Sequence, residues 1–395
     1  MLPIPVRLRL AALAATAAAV LIAPTAPTGA VGAVHVEDTP FPPLTPAVAA
    51  ELDAAIQRTL RETRVPGVVV GLWAPGKGSY VKTFGVADKA TSAPMKTDLN
   101  FRIGSETKTF TVTALLQLVD QHKLSLDDPI GKYVSGVPNG DRITLRELAG
   151  MRSGLYNYSE DPDFDKALLA GQVFTPQQLL DYSFKHGVQF APDAKFDYSN
   201  TNLILLGLVI EKVTGRSIQQ VVNDDVVKPA GLRRTLFPTG AEYPDPHPQG
   251  YTEVSDKIVN ATDWNPSWAW AAGAVISDLQ DLRSWAKTLA TGTLLTPATQ
   301  AERLKTKPIG EIPGAGYGLG VFDVQGWIGH NGSLPGYESL TVYLPEEQAT
   351  MVVLLNTDAL VDGQEPSTLF GEAITDIVTP DHVYPGHKVT APRPS

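Results

Sequence analysis

The chain contains no cysteine. That excludes disulfides, a thiol nucleophile, thiolate metal ligands and a lipid-attachment thiol, so the core alone must hold the fold. Basic runs are missing too, and the formal charge is −10, which argues against a nucleic-acid partner. Beyond the N-terminal leader there is no second long apolar stretch, so no membrane anchor is expected. No His-Glu-x-x-His string occurs, and Asp245 and His247 fall in a proline-rich loop; neither a metal nor another cofactor is expected. The Gly-x-Ser-x-Gly elbow of α/β-hydrolases is absent as well.

What is present begins with Arg7 and Arg9, an Ala/Leu/Val run over 10–22 and a small-residue stretch over 24–33. This is the layout of a secretory signal peptide over 1–33, and a secreted mature protein is expected. Loss of its two arginines takes the charge from −10 to −12 (−10 − 2). About 360 residues then remain, ample for one well-buried core. Glycine (34) and proline (32) are spread through turns, and no repeat is visible.

Residues 45–63 read as a helix, with Val48, Leu52, Ile56 and Leu60 at four-residue spacing. Strands are expected at 67–73 and 80–86, joined by a Pro75-Gly76-Lys77-Gly78 turn. From 127 to 264 the chain offers short helical segments and loops, including 144–149, 176–183, 201–214 and 217–227. Strand character returns at 317–324, 327–330, 339–344 and 351–356, and 365–378 reads as a closing helix. Strands at both ends with helices between imply an α+β fold, an antiparallel sheet flanked by helices with an inserted all-helical domain. The expected units are a discontinuous sheet domain (34–126 and 265–380), the insertion (127–264) and a polar tail (381–395). A cleft should form where sheet and insertion meet.

Chemistry points to Ser105-Glu106-Thr107-Lys108, at the start of an apolar-periodic helix carrying Phe110, Leu115, Leu116 and Val119. Residues three apart on a helix lie about 5–6 Å apart at Cβ, so an amine neutralised by burial could take the serine proton. Two other Ser-x-x-Lys strings exist. Ser79 and Lys82 lie in a strand pattern that points them to opposite faces, and Ser284 and Lys287 lie mid-helix on a solvated face. Ser105 alone sits at a helix N-terminus, where an N-capping serine is the plain alternative. Tyr198-Ser199-Asn200 and His330-Asn331-Gly332-Ser333 each occur once. Taken singly, a core tyrosine and a turn-flanking histidine explain them; their order after Ser-x-x-Lys is more specific.

In that order, and with Phe101-Arg102-Ile103-Gly104, Arg152-Ser153-Gly154-Leu155 and Gly316-Tyr317-Gly318-Leu319-Gly320 beside them, the chain resembles the penicillin-recognising serine hydrolases, nearest to the secreted D-alanyl-D-alanine carboxypeptidases. The resemblance implies Ser105 as acylated nucleophile, Lys108 as its partner, and Tyr198 as acid/base with a pKa lowered by Lys108. It implies Asn200 holding the substrate amide or Lys108, and His330 on the strand where most β-lactamases have lysine. Gly332 would allow close approach, Ser105 and Ser333 would supply oxyanion N–H groups, and Trp268 would form an aromatic wall or simply pack. It further implies a cell-wall stem peptide or other small D-peptide as substrate, β-lactams as acylating inhibitors, and a monomer. A carboxylesterase or β-lactamase of the same fold is the alternative, and a non-catalytic peptidoglycan-binding scaffold a more distant one. One departure stands out: the arginine expected after Gly320 to hold a terminal carboxylate is missing, and Val321-Phe322-Asp323 follows instead.

Overall fold

The computed structural model describes residues 41–310 and 313–385; the segment expected to be a signal peptide lies outside them. Among the described residues, nine strands form one antiparallel sheet: β1 (Gly67–Ala74), β2 (Gly78–Asp88), β3 (Ala93–Pro94), β4 (Lys307–Pro308), β5 (Ala315–Tyr317), β6 (Phe322–Val324), β7 (Trp327–Leu334), β8 (Tyr337–Leu344) and β9 (Ala349–Leu355). Their order is β3-β2-β1-β9-β8-β7-β6-β5-β4. β1, β8 and β9 are buried along their whole lengths, which is why they read as apolar runs and not as alternating patterns.

Alternation nevertheless sorts the side chains between two cores. Val68, Val70, Leu340 and Val353 pack with Leu52 and Ile56 of α1 (Pro46–Thr63) and with Phe370 and Ile374 of the C-terminal helix Pro366–Val378. Val69, Val352 and Leu354 face the other core. That core contains α2 (Thr107–Asp120), α3 (Asn200–Thr214), α4 (Leu279–Thr291) and the short helices Leu145–Ala149, Pro162–Leu169 and Pro176–Phe184. With α4 placed, the C-terminal helix is α5.

α2 is buried nearly all round and not along a single stripe. Its threonines are the reason this is possible. Thr109 Oγ1 donates to Glu106 O at 2.7 Å, Thr111 Oγ1 to Ala271 O at 2.8 Å, and Thr113 Oγ1 to Thr109 O at 2.6 Å. Each buried hydroxyl thereby recovers a partner that water would have supplied.

Three differences from the sequence reading have clear causes. The expected strand over 317–324 is two strands, β5 and β6, with a turn between them. Gly320 at φ +68 and Gly318, whose added Cβ would lie 2.2 Å from Arg303 O, permit that turn. The stretch 127–264 also holds a hairpin, Tyr251–Val254 with Lys257–Asn260, that its loop-like composition does not announce. The folded part runs past 380: Tyr384 is buried, and its N–H donates to Thr375 Oγ1 at 2.8 Å.

Trp285 of α4 stacks on Phe110 of α2 at 4.0 Å and donates Nε1–H to Thr109 Oγ1 at 2.8 Å. Trp285→Ala should therefore cost about 3–5 kcal/mol, measured as a lower urea midpoint at constant m-value.

Candidate active site

β7 passes in close backbone contact with the turn that carries Ser105. A Cβ on Gly332 would lie 2.0 Å from Ile103 O and 2.9 Å from Ser105 N. Gly104 closes the same contact from the other side: it has φ +51, and its added Cβ would lie 2.8 Å from Ser333 N. Two glycines thus let strand and turn touch through backbone, which side chains would hold apart. Ser105 sits on the short 3-10 turn Gly104–Glu106 that runs into α2, and it is not a side-chain cap.

Lys108 Nζ stands 2.7 Å from Ser105 Oγ and donates to Ala272 O at 2.8 Å. It is fully buried, and burial pushes its pKa well below the ordinary lysine value, with no neighbouring charge opposing the shift. A neutral amine that spends one N–H on Ala272 O keeps a lone pair for the serine proton. Tyr198 hydrogen-bonds Ser105, and the Lys108 amine lies 4.9 Å from its ring centroid. Here the resemblance misleads. Burial raises the Tyr198 phenol well above its ordinary value, and the bond to Ser105 only partly offsets that. A deprotonated lysine brings no charge to stabilise a phenolate.

His330 is buried. Its Nδ1 lies 2.5 Å from Asn331 O, and Tyr317 Oη lies 3.3 Å from its Nε2. A carbonyl can only accept, so Nδ1 carries the proton and Nε2 takes the Tyr317 hydroxyl. Burial is the main cause that pushes the imidazole down to about 3, and a proton on Lys108 would push it further the same way. The Phe322 ring lies 4.7 Å from His330 and stacks parallel to Tyr198 at 6.5 Å.

Ser105, Asn200, Trp268 and Ser333 line one cleft together with Tyr158, Ala272 and Gly273. Asn200 does not hold Lys108; that partner is the Ala272 carbonyl. Its Nδ2 donates instead to Ser159 Oγ at 3.1 Å. Trp268 is nearly buried against Phe164, with ring centroids 6.0 Å apart, and its carbonyl accepts from Tyr158 Oη at 2.6 Å. Sequence reasoning missed Tyr158, Ser159, Tyr317 and Ala272, because each looks locally like packing or loop. It also missed Glu106, whose carboxyl burial raises to about 8 beside the Ser339 and Thr341 hydroxyls. The other two serine–lysine strings stay apart from the site. Lys82 pairs with Asp53 at 2.5 Å, and exposed Ser284 donates to Gln280 O at 3.1 Å.

The Beta-lactamase family model matches residues 52–369. The chain belongs to that family. The Bacillus subtilis (strain 168) protein PbpX, named as a penicillin-binding protein, is 27% identical over 70% of the chain and 66% of its own length. The chain thus spans about two thirds of that relative. A D-stereospecific amidohydrolase from Streptomyces sp. is 34% identical, with TM-score 0.74 over 82% of this chain and 98% of its own. The D-amino acid amidase of Ochrobactrum anthropi SV3, solved with D-phenylalanine, is 28% identical, with TM-score 0.74 over 83% and 99%. The chain is a serine-type hydrolase of the β-lactamase and penicillin-binding-protein fold.

Lys108→Arg should lower acylation of Ser105 by roughly 10²–10⁴-fold, the range of a lost general base, because a guanidinium keeps its proton. In the wild type, kcat/KM should fall on acidification as Lys108 takes up a proton. His330, already neutral above about 3, does not set that limb. Stopped-flow acylation and a pH–rate profile measure both.

Proposed function

We propose that this hydrolase cleaves amides of D-amino acids and short D-peptides whose leaving group is uncharged. Lys108 takes the proton of Ser105 as Oγ adds to the substrate carbonyl. The N–H groups of Ser105 and Ser333 receive the oxyanion. Neutral Tyr198 hands a proton to the departing nitrogen and takes one back from the Lys108 ammonium; water then resolves the acyl-enzyme, its hydroxyl going to the acyl carbon and its remaining proton restoring Ser105. The high phenol pKa suits this role, since a general acid must arrive protonated.

The observation that carries the substrate reading is Phe322 against His330, ring centroids 4.7 Å apart. Where a carboxypeptidase would set a guanidinium, this chain sets an uncharged ring beside an uncharged imidazole. A free terminal carboxylate entering there finds no bidentate cation, whereas ammonia or an amide as leaving group loses nothing. Support for D-configuration comes from the likeness to the Streptomyces amidohydrolase and the Ochrobactrum amidase. Export through the 1–33 segment, a monomeric state and acylation by β-lactams belong to the same proposal.

Mass spectrometry after benzylpenicillin treatment should show a covalent adduct that Ser105→Ala loses. In a panel of D-alanine amide, a D-Ala-D-Ala peptide as free acid and as amide, a p-nitrophenyl ester and a cephalosporin, the amides should do at least as well as the free acid. A tenfold preference for the free acid would sink the reading. Phe322→Arg should raise free-acid turnover roughly tenfold, as expected for one charged hydrogen bond gained.

A further inference from the structure

Asn200 lines the cleft beside Ser105, and which end of its amide faces the substrate decides what it can recognise. Hydrogen-bond polarity settles the orientation. The backbone N–H of Asn200 lies 3.1 Å from Asn157 Oδ1. A backbone N–H can only donate, so that atom of Asn157 is its oxygen. The Ser159 hydroxyl, 3.0 Å from the same oxygen, must spend its single hydrogen there. Its lone pairs are left to accept, so the Asn200 atom 3.1 Å away is Nδ2. Oδ1 is the end turned away from Ser159.

The chain continues outward. Asn157 Nδ2 donates to Glu160 Oε1 at 3.3 Å. The hydrogen bonds that link Asn200, Ser159 and Asn157 therefore all run towards one carboxylate near the surface. Hydrogen bonds in series polarise one another, so negative charge on Glu160 makes Asn200 Oδ1 a stronger acceptor.

We propose that Asn200 Oδ1 receives the α-ammonium of the substrate, and that Glu160, Asn157 and Ser159 act as positioning residues that fix and polarise it. The site then selects D-amino acid amides with a free α-amine. This deepens the amidase reading and rests on it, but it makes a separate claim about the opposite end of the substrate from Phe322.

Binding to Ser105→Ala, followed by calorimetry, separates the two claims because it needs no turnover. D-phenylalanine amide should bind roughly tenfold or more tightly than 3-phenylpropanamide, which lacks the amine, as expected for a charge-assisted hydrogen bond. Adding Glu160→Gln should weaken the amine-bearing ligand roughly three- to tenfold and leave the des-amino ligand within twofold. In the active enzyme, Glu160→Gln should raise KM for D-phenylalanine amide with kcat little changed. Ser159→Ala, which frees the Asn200 amide to turn over, should shrink the amine preference in the same direction. Equal affinity for the two ligands, failure of both to bind, or a Glu160→Gln loss shared equally by both would overturn the assignment. Failure of wild-type enzyme to hydrolyse either amide, with amine-selective binding intact, would overturn the amidase reading and leave the ammonium site standing.

Discussion

An amine buried without a counter-ion is the constraint on which this structure turns. Lys108 has lost all contact with solvent, and its hydrogen-bond partners are the Ser105 hydroxyl and the Ala272 carbonyl. Removing a charged ammonium from water costs several kcal/mol, so burial drives Lys108 towards the neutral form. A carboxylate partner would have stabilised the cation and destroyed the base. Glu106, two residues away, is the obvious danger, yet its own burial between the nucleophile turn and β8 raises it to about 8 and keeps it protonated at neutral pH.

Burial thus pushes Lys108, Glu106, His330 and Tyr198 all towards their uncharged forms. Charge appears in the cleft chiefly when the reaction creates it, on the carbonyl oxygen and on the lysine that has taken a proton. Fixed dipoles act on such charge more strongly in a dry site than in water. The close backbone contact through Gly332 and Gly104 serves that end, since it sets Ser333 N beside the nucleophile turn. A methyl group at either glycine would separate the two.

The sequence makes Ser105 and Lys108 legible because their relation is local: one turn of helix fixes it. Tyr198, His330 and Gly332 are legible only as an ordered set, each being ambiguous alone. The strands and longer helices follow from period and capping, and Asp278 at the start of α4 with Gly292 (φ +71) at its end shows why. What could not be read depends on partners distant in the chain. The Tyr198 pKa is set chiefly by burial among parts of the chain far from it in sequence. The true carbonyl partner of Lys108 is 164 residues away, and nothing in Ala271-Ala272-Gly273 marks it. That Phe322 stands where the carboxylate-binding arginine is missing was legible, but its contact with His330 was not, since the turn at Gly318 and Gly320 brings the two rings together.

The same limit explains why Asn200 carries more information in three dimensions than its motif does. In sequence it is a polar residue that could donate or accept. Its orientation is imposed from Asn157, 43 residues earlier, through a backbone N–H that has only one possible role. On the proposed reading the cleft is asymmetric. The α-carbon of the substrate would meet the acceptor polarised by Glu160, and its leaving group the uncharged rings of Phe322 and His330. A substrate carrying an ammonium at its α-carbon and a neutral leaving group on its carbonyl can enter in one direction only. A peptide bearing a free carboxylate beyond the scissile bond would set its charge against the rings. Stereochemical preference then need not come from a tight steric pocket. With the ammonium held at Asn200 and the carbonyl between Ser105 N and Ser333 N, two of the four α-carbon substituents are fixed. Trp268, which lines the same cleft, is the apolar surface against which the remaining two substituents would be sorted.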